Sequence, residues 1–164
     1  MRVIVLTALL ACTSGLSAAQ TAEEMLGPVD LSTPESAVFS LMRGMYQGDT
    51  DMIDRVMLED GVFRRVLPDG RVSQDGLPDW KEWVGTLEVG AAHEDLFAVR
   101  TEQFGNMATV WAPFVISVNG EIANCGVNTM TLAQTQGEWK IVFGMDTPAP
   151  KDTCHTFKAT YPAP

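Results

Sequence analysis

The apolar positions change period twice along the chain, and the changes separate a helical first half from a second half of strands. Thr33-Pro34-Glu35 opens the first periodic segment. The threonine can cap a helix, proline suits its first position, and the acid favours the positive end of the dipole. Val38, Leu41, Met42 and Met45 then recur at helical spacing until Gly48 stops the helix. Asp49 or Thr50 caps a second, short helix carrying Met52, Ile53, Val56 and Met57. Val62 to Leu67 reads as a strand, turned by Pro68-Asp69-Gly70 into Arg71 to Gln74. After Pro78, the residues Trp80, Trp83, Val84 and Leu87 form the buried stripe of a third helix.

Beyond that helix the period is that of strands. Asp95 to Phe104 meets Met107 to Val118 across Gly105-Asn106, which in turn meets Glu121 to Gln134 across Asn119-Gly120. Asn-Gly between apolar runs is a strong hairpin signal. Gln136-Gly137 leads into a last strand, Glu138 to Met145. Strands this long call for bulges, and Pro113 and Gly126 are the places for them. Long bent antiparallel strands preceded by three helices imply an α+β fold, a strongly curved sheet wrapped round a helix.

Composition narrows the class. A chain of 164 residues fits one domain, and 46% apolar with 20% charged residues is the balance of a soluble globule. A net charge of −10 argues against nucleic acid, whose binders cluster Lys and Arg, and against anionic lipid.

The N-terminus reads as a targeting segment. Met1-Arg2 supplies a positive end, Val3 through Ala11 is an apolar run, and Ser17-Ala18-Ala19 places small residues at a cleavage site. Residues 1–19 are therefore expected to be a signal peptide cut after Ala19, delivering the product to the periplasm or outside the cell. The run is too short to span a bilayer. The alternative is a lipoprotein box at Leu9-Leu10-Ala11-Cys12, with lipid on Cys12. Residues 20–32 are read as a flexible lead-in, 33–146 as the domain, and 147–164 as a Pro-rich tail.

Export changes the meaning of the cysteines. Cys125 and Cys154 remain after cleavage, an even pair in an oxidising compartment with one intramolecular connectivity. The bridge would close a loop of about 30 residues, worth roughly 3–4 kcal/mol in the chain-entropy model, and pin the tail. Two buried free thiols are the alternative. No metal-ligand spacing and no Cys-x-x-Cys occurs, so neither a metal nor a cofactor is expected.

The order of elements resembles the nuclear-transport-factor-2-like superfamily. The resemblance covers roughly residues 33–146. It rests on Gly48-Asp49 after the first helix, the hairpin, the third helix, the long meander, and Gly137-Glu138-Trp139-Lys140-Ile141 opening the last strand. Trp111-Ala112-Pro113-Phe114, Asn124-Cys125-Gly126-Val127 and Cys154 are similar to a group of exported bacterial members of uncharacterised role, and the resemblance as a whole is to the polyketide-cyclase-like or lumazine-binding-like group. The resemblance implies a cone-shaped domain with a pocket between helix and sheet, and often a homodimer through the sheet. It implies no single function. Where isomerase-like members carry a tyrosine on the first helix, this chain has Leu41. Where they carry an aspartate base on the first strand, it has Arg65, which cannot accept a proton. Tyr46 and Tyr161 lie elsewhere.

Period-two alternation in Glu121 to Gln134 puts Ile122, Asn124, Gly126, Asn128, Met130 and Leu132 on one face, with Cys125 opposite. The apolar ends of that set mark the inner face, so Asn124 and Asn128 are expected to orient a ligand in the cone, with Met130 and Trp80 as its apolar contacts. Amides orient well but are poor acids and bases. His93, Asp146 and Arg100 are the candidates for acid–base work near the cavity mouth. His155, beside Cys154, reads as a tail residue. Trp83, Trp111 and Trp139 read as core or pocket floor. The first functional expectation is an exported binding or accessory domain holding a small, partly apolar molecule, or a partner, in the cone. The alternative is a cyclase, dehydratase or hydrolase working at the same pocket.

Overall fold

A computed structural model describes residues 20–161, so the leader, its cleavage site, Cys12, Pro162 and Pro164 lie outside the described residues. The first helices are α1 (Ala22–Met25), α2 (Pro34–Gln47) and α3 (Thr50–Val56). Thr33 caps α2 as expected: its hydroxyl accepts from the Ser36 amide, and Ser36 returns the bond to the Thr33 amide. Gly48 ends α2 at φ 67°, a left-handed position that favours glycine, and the Asp49 carboxylate then caps α3. The segment expected to be a loose lead-in is packed. Met25 is fully buried and Leu31 nearly so, and Gln47 and Arg43 of α2 hold its carbonyls.

A six-stranded sheet curls over α2. Its strands are β1 (Met57–Arg65), β2 (Ala92–Leu96), β3 (Arg100–Phe104), β4 (Met107–Val118), β5 (Glu121–Thr135) and β6 (Glu138–Pro148), with α4 (Leu77–Val84) between β1 and β2. The order is β1-β6-β5-β4-β2, and β3 pairs with β4 beyond β2. The pairs are antiparallel except β1–β6, which is parallel. The expected return strand after Pro68-Asp69-Gly70 shrinks to one bridge, Val66 to Val72.

Residues 92–104 form two strands rather than one, and Pro113 supplies the reason. Its carbonyl accepts from Phe97, so its nitrogen faces the same edge and has no hydrogen to give. The edge chain leaves the ladder there, passing Ala98 at φ 47° before β3 resumes. The bulges lie elsewhere than expected, since Pro113 and Gly126 stay in register with Val127 and Phe114. The residues skipped are Ala123 in β5, Val142 in β6 and, in β1, 58–61 between Met57 and Val62. The bulge at Ala123 turns Ile122 to the outer face while Asn124 keeps its inward direction.

Two apolar clusters result. The larger joins α2, α3 and the inner sheet face, with Leu41, Met45, Ile53, Leu132 and Ile141 at or near zero exposure. The smaller lies on the outer face, where the tail returns as a 3-10 helix (Lys151–Thr156) and α5 (Phe157–Thr160). There Cys125 and Cys154 form the expected disulfide, beside Val115, Val127, Phe97 and Phe157. Contrary to expectation the tail begins as strand, since β6 continues to Pro148 opposite Gly126.

Candidate functional site

The inner face of the sheet and the helices leave a cavity of about 460 Å³, within the range of small-molecule sites. Its helix side is apolar: Leu41 and Met42 of α2, with Trp80 and Trp83 of α4. Phe63, Phe114, Ile116 and Met130 continue that lining on the sheet. The tryptophans are half-buried, and Val84, where α4 ends, is the one residue of its expected stripe that is fully enclosed.

One polar stripe interrupts this lining. Arg65, Asp146 and Asn128 stand in register across β1, β6 and β5, so their side chains share the inner face. Arg65 Nε lies 2.9 Å from each oxygen of Asp146, and this bidentate pair lines the cavity. Asn128 Nδ2 donates to Glu94 Oε1 at 2.7 Å. Glu94 and Asn128 are two strands and four register positions apart. A flat sheet would separate them by about 17 Å, beyond the reach of the two side chains. The hydrogen bond exists because the sheet is curled.

Glu94 is the chemically unusual group. Its residue exposure is 8%, and its second oxygen, Oε2, makes no hydrogen bond to the protein among the described residues yet keeps surface toward the cavity. Burial pushes its carboxyl up from 4.5 to about 7. The Asn128 amide and the more distant Arg65 oppose the rise, and the Asp146 charge adds to it. The guanidinium of Arg65 is held still more firmly protonated by its bonds to Asp146.

Of the residues singled out from the sequence, the cavity collects Asn124, Asn128, Trp80, Trp83, Met130 and Asp146. Two others do not reach it. His93 neighbours Glu94 on β2, so alternation sends it the other way, to the edge of the Tyr46 ring and 3.5 Å from Asp95. Arg100 is exposed on β3, its guanidinium 5.9 Å from the centre of the Trp111 ring. His155 is exposed in the tail, and Trp139 is buried in the main cluster. Glu94 was missed, although a signal existed. It is an acid between Ala92 and Leu96 at period two, in the apolar phase of a strand that begins three residues earlier than the expected Asp95. No group of His, Cys, Asp or Glu suited to a metal occurs among the described residues.

Neither a protein-family model nor a curated protein matches the sequence. Solved structures do match. A candidate dehydratase of the nuclear-transport-factor-2-like family from Streptomyces avermitilis superposes with a TM-score of 0.57 at 19% identity, over 72% of this chain and 99% of that one. A nuclear-transport-factor-2-like protein of unknown function from Shewanella baltica gives 0.55 at 12% identity, over 71% and 90% of the two chains. A protein with a cystatin-like fold from Nostoc punctiforme gives 0.58 at 9% identity, over 71% and 88%. At such identities the likeness is one of fold, and the chain has the nuclear-transport-factor-2-like, cystatin-like fold.

Proposed function

We propose that the cavity binds a small, largely apolar molecule and that Glu94 exchanges a proton with it, as an acid–base catalyst of the cyclase or dehydratase kind. One observation carries this: a desolvated carboxyl with a free oxygen on the wall of an apolar cavity. A group poised near 7 is present in both protonation states at neutral pH, the condition for giving and taking a proton in one cycle. The candidate dehydratase of the same fold accords with this class of chemistry. Asn128 fixes the carboxyl by one oxygen, and Asn124 offers an amide with which a substrate can be oriented.

A generic probe tests the assignment. Nitrobenzisoxazole is a flat apolar molecule that opens to a coloured phenolate when a base removes its ring C–H proton and its N–O bond breaks. Turnover should saturate, and kcat/KM should rise with pH through about 7 as Glu94 ionises. Glu94→Gln should reduce it to the background rate. A variant as active as the wild type would refute the role of Glu94.

Two wider features belong to the same proposal. The disulfide accords with folding in an oxidising compartment, and no helix among the described residues is long and apolar enough to cross a membrane. Phe104, Met107 and Trp111 stand exposed on the β3–β4 hairpin, in support of a homodimer through the sheet. Native mass spectrometry counts the subunits.

A further inference from the structure

We infer that the returning tail is a strap that positions Glu94, with Lys158 and Asp95 as its working contact. It ties β2 to β5 across the outer face of the sheet, and those two strands carry Glu94 and Asn128 on the inner face. The inference rests on the reading of Glu94 as the proton-exchanging group and adds the residues that hold it in place.

The strap follows one row of the sheet. Asp95 of β2, Val115 of β4 and Cys125 of β5 are register partners, so they stand side by side on the outer face. The row is two strand spacings long, about 10 Å. The tail is fixed at both ends of it. Cys154 is bonded to Cys125, and four residues later Lys158 Nζ donates to Asp95 Oδ2 at 2.8 Å. Four helical residues rise about 6–8 Å, and the lysine side chain supplies the remaining reach. Val115 is buried in the cluster between the two anchors. Beside it the Phe157 ring meets the Phe97 ring edge-on at 6.1 Å, and Lys158 Nζ lies 5.7 Å from the centre of the Phe97 ring.

The strand with most need of support is β2. It is five residues long, ends the sheet, and pairs with β4 alone among the described residues. The tail grips it at Asp95 and just past its end at Phe97, next to Glu94, whose side chain passes to the cavity. On the inner face Glu94 reaches back to Asn128 of β5. Strap and hydrogen bond therefore span the same two strands from opposite faces. With the strap released, β2 can shift relative to β5 and water can reach the carboxyl, whose burial is the largest cause of its rise to about 7. The other charged residues at the cavity, Arg64, Arg65 and Asp146, sit on β1 and β6, outside the three strands that the strap crosses.

Carbon NMR of the Glu94 carboxyl, assigned with Glu94→Gln, follows its titration directly. The proteins compared are the wild type, Lys158→Met, Lys158→Arg and the double variant Cys154→Ser/Lys158→Met. The midpoint should fall from about 7 by about one pH unit in Lys158→Met and further toward 4.5 in the double variant, and Lys158→Arg should keep the wild-type value. The sign is diagnostic, because losing a positive charge would raise a carboxyl whereas water lowers it. Lys158 is exposed, so its single variant decides the matter if the double variant does not fold. The kcat/KM for nitrobenzisoxazole at about pH 8.5 should fall in parallel as the base weakens. A midpoint unchanged or raised in Lys158→Met and in the double variant would overturn the strap and leave the catalytic role of Glu94 standing. Midpoints that fall while turnover proves independent of Glu94 would support the strap and refute the proton-exchange reading.

Discussion

Replacing Glu94 with Gln should make the protein more stable, and by an amount that depends on pH. The carboxyl is raised from 4.5 to about 7 by burial. Each tenfold change in proton affinity is worth about 1.4 kcal/mol, so the ionised group weakens the fold by about 3 kcal/mol when it is charged in both folded and unfolded chains. The sign follows from proton counting. Between 4.5 and about 7 the folded protein binds more protons at this site than the unfolded chain, so stability falls as pH rises and the loss is complete above 7. Below 4.5 the group is protonated in both states and the term vanishes. Glutamine is neutral throughout and keeps an oxygen for the Asn128 amide. Urea unfolding of both proteins, with the disulfide intact, should show little difference at about pH 4.5. By about pH 8.5 the variant should lead by up to about 3 kcal/mol. Other titrating groups are common to both proteins and cancel in the comparison. A difference that stays constant across that range would mean Glu94 is not desolvated, and the proton-transfer proposal would lose its basis.

Two further outcomes concern the sheet and its outer face. Cys154→Ser should cost about 3 kcal/mol and free Phe157 and Tyr161 from the outer cluster, with the main core intact. Non-reducing peptide mapping checks the bridge and protease sensitivity of the tail checks its release; recovering both thiols free from protein folded under oxidising conditions would contradict it. Gly126→Ala should destabilise by about 1–3 kcal/mol, because the added methyl would overlap the Thr147 carbonyl and crowd Pro148, both backbone. Thermal unfolding measures this, and an unchanged midpoint would show that β6 yields easily at that point.

Much of the architecture was legible in the residues themselves. Thr33 and Gly48 bound α2, Asn119-Gly120 and Gln136-Gly137 place two hairpins, and the two cysteines beyond the expected leader leave one bridge to make. These are local rules, each decided within a few neighbouring residues. Alternation along β5 likewise placed Asn124, Asn128 and Met130 on the inner face without knowledge of the fold. What alternation could not supply was the effect of a bulge. One unpaired residue at Ala123 reverses the phase on one side of it, and Ile122 leaves the face it was expected to share.

The candidate site was decided by tertiary structure. His93 drew notice for its chemistry and Glu94 did not, yet the strand turns the first outward and the second inward. An acid in sequence carries its ordinary proton affinity, and only enclosure by distant segments removes the water that sustains its charge. Asn128 meets Glu94 because the sheet is curled, and Asp146 meets Arg65 because β1 pairs in parallel with β6. Neither contact is encoded by spacing along the chain. Sequence periodicity determines which way a side chain faces on its own element. Which side chains then share a cavity, and which lose their water, depends on curvature and pairing between elements remote in sequence.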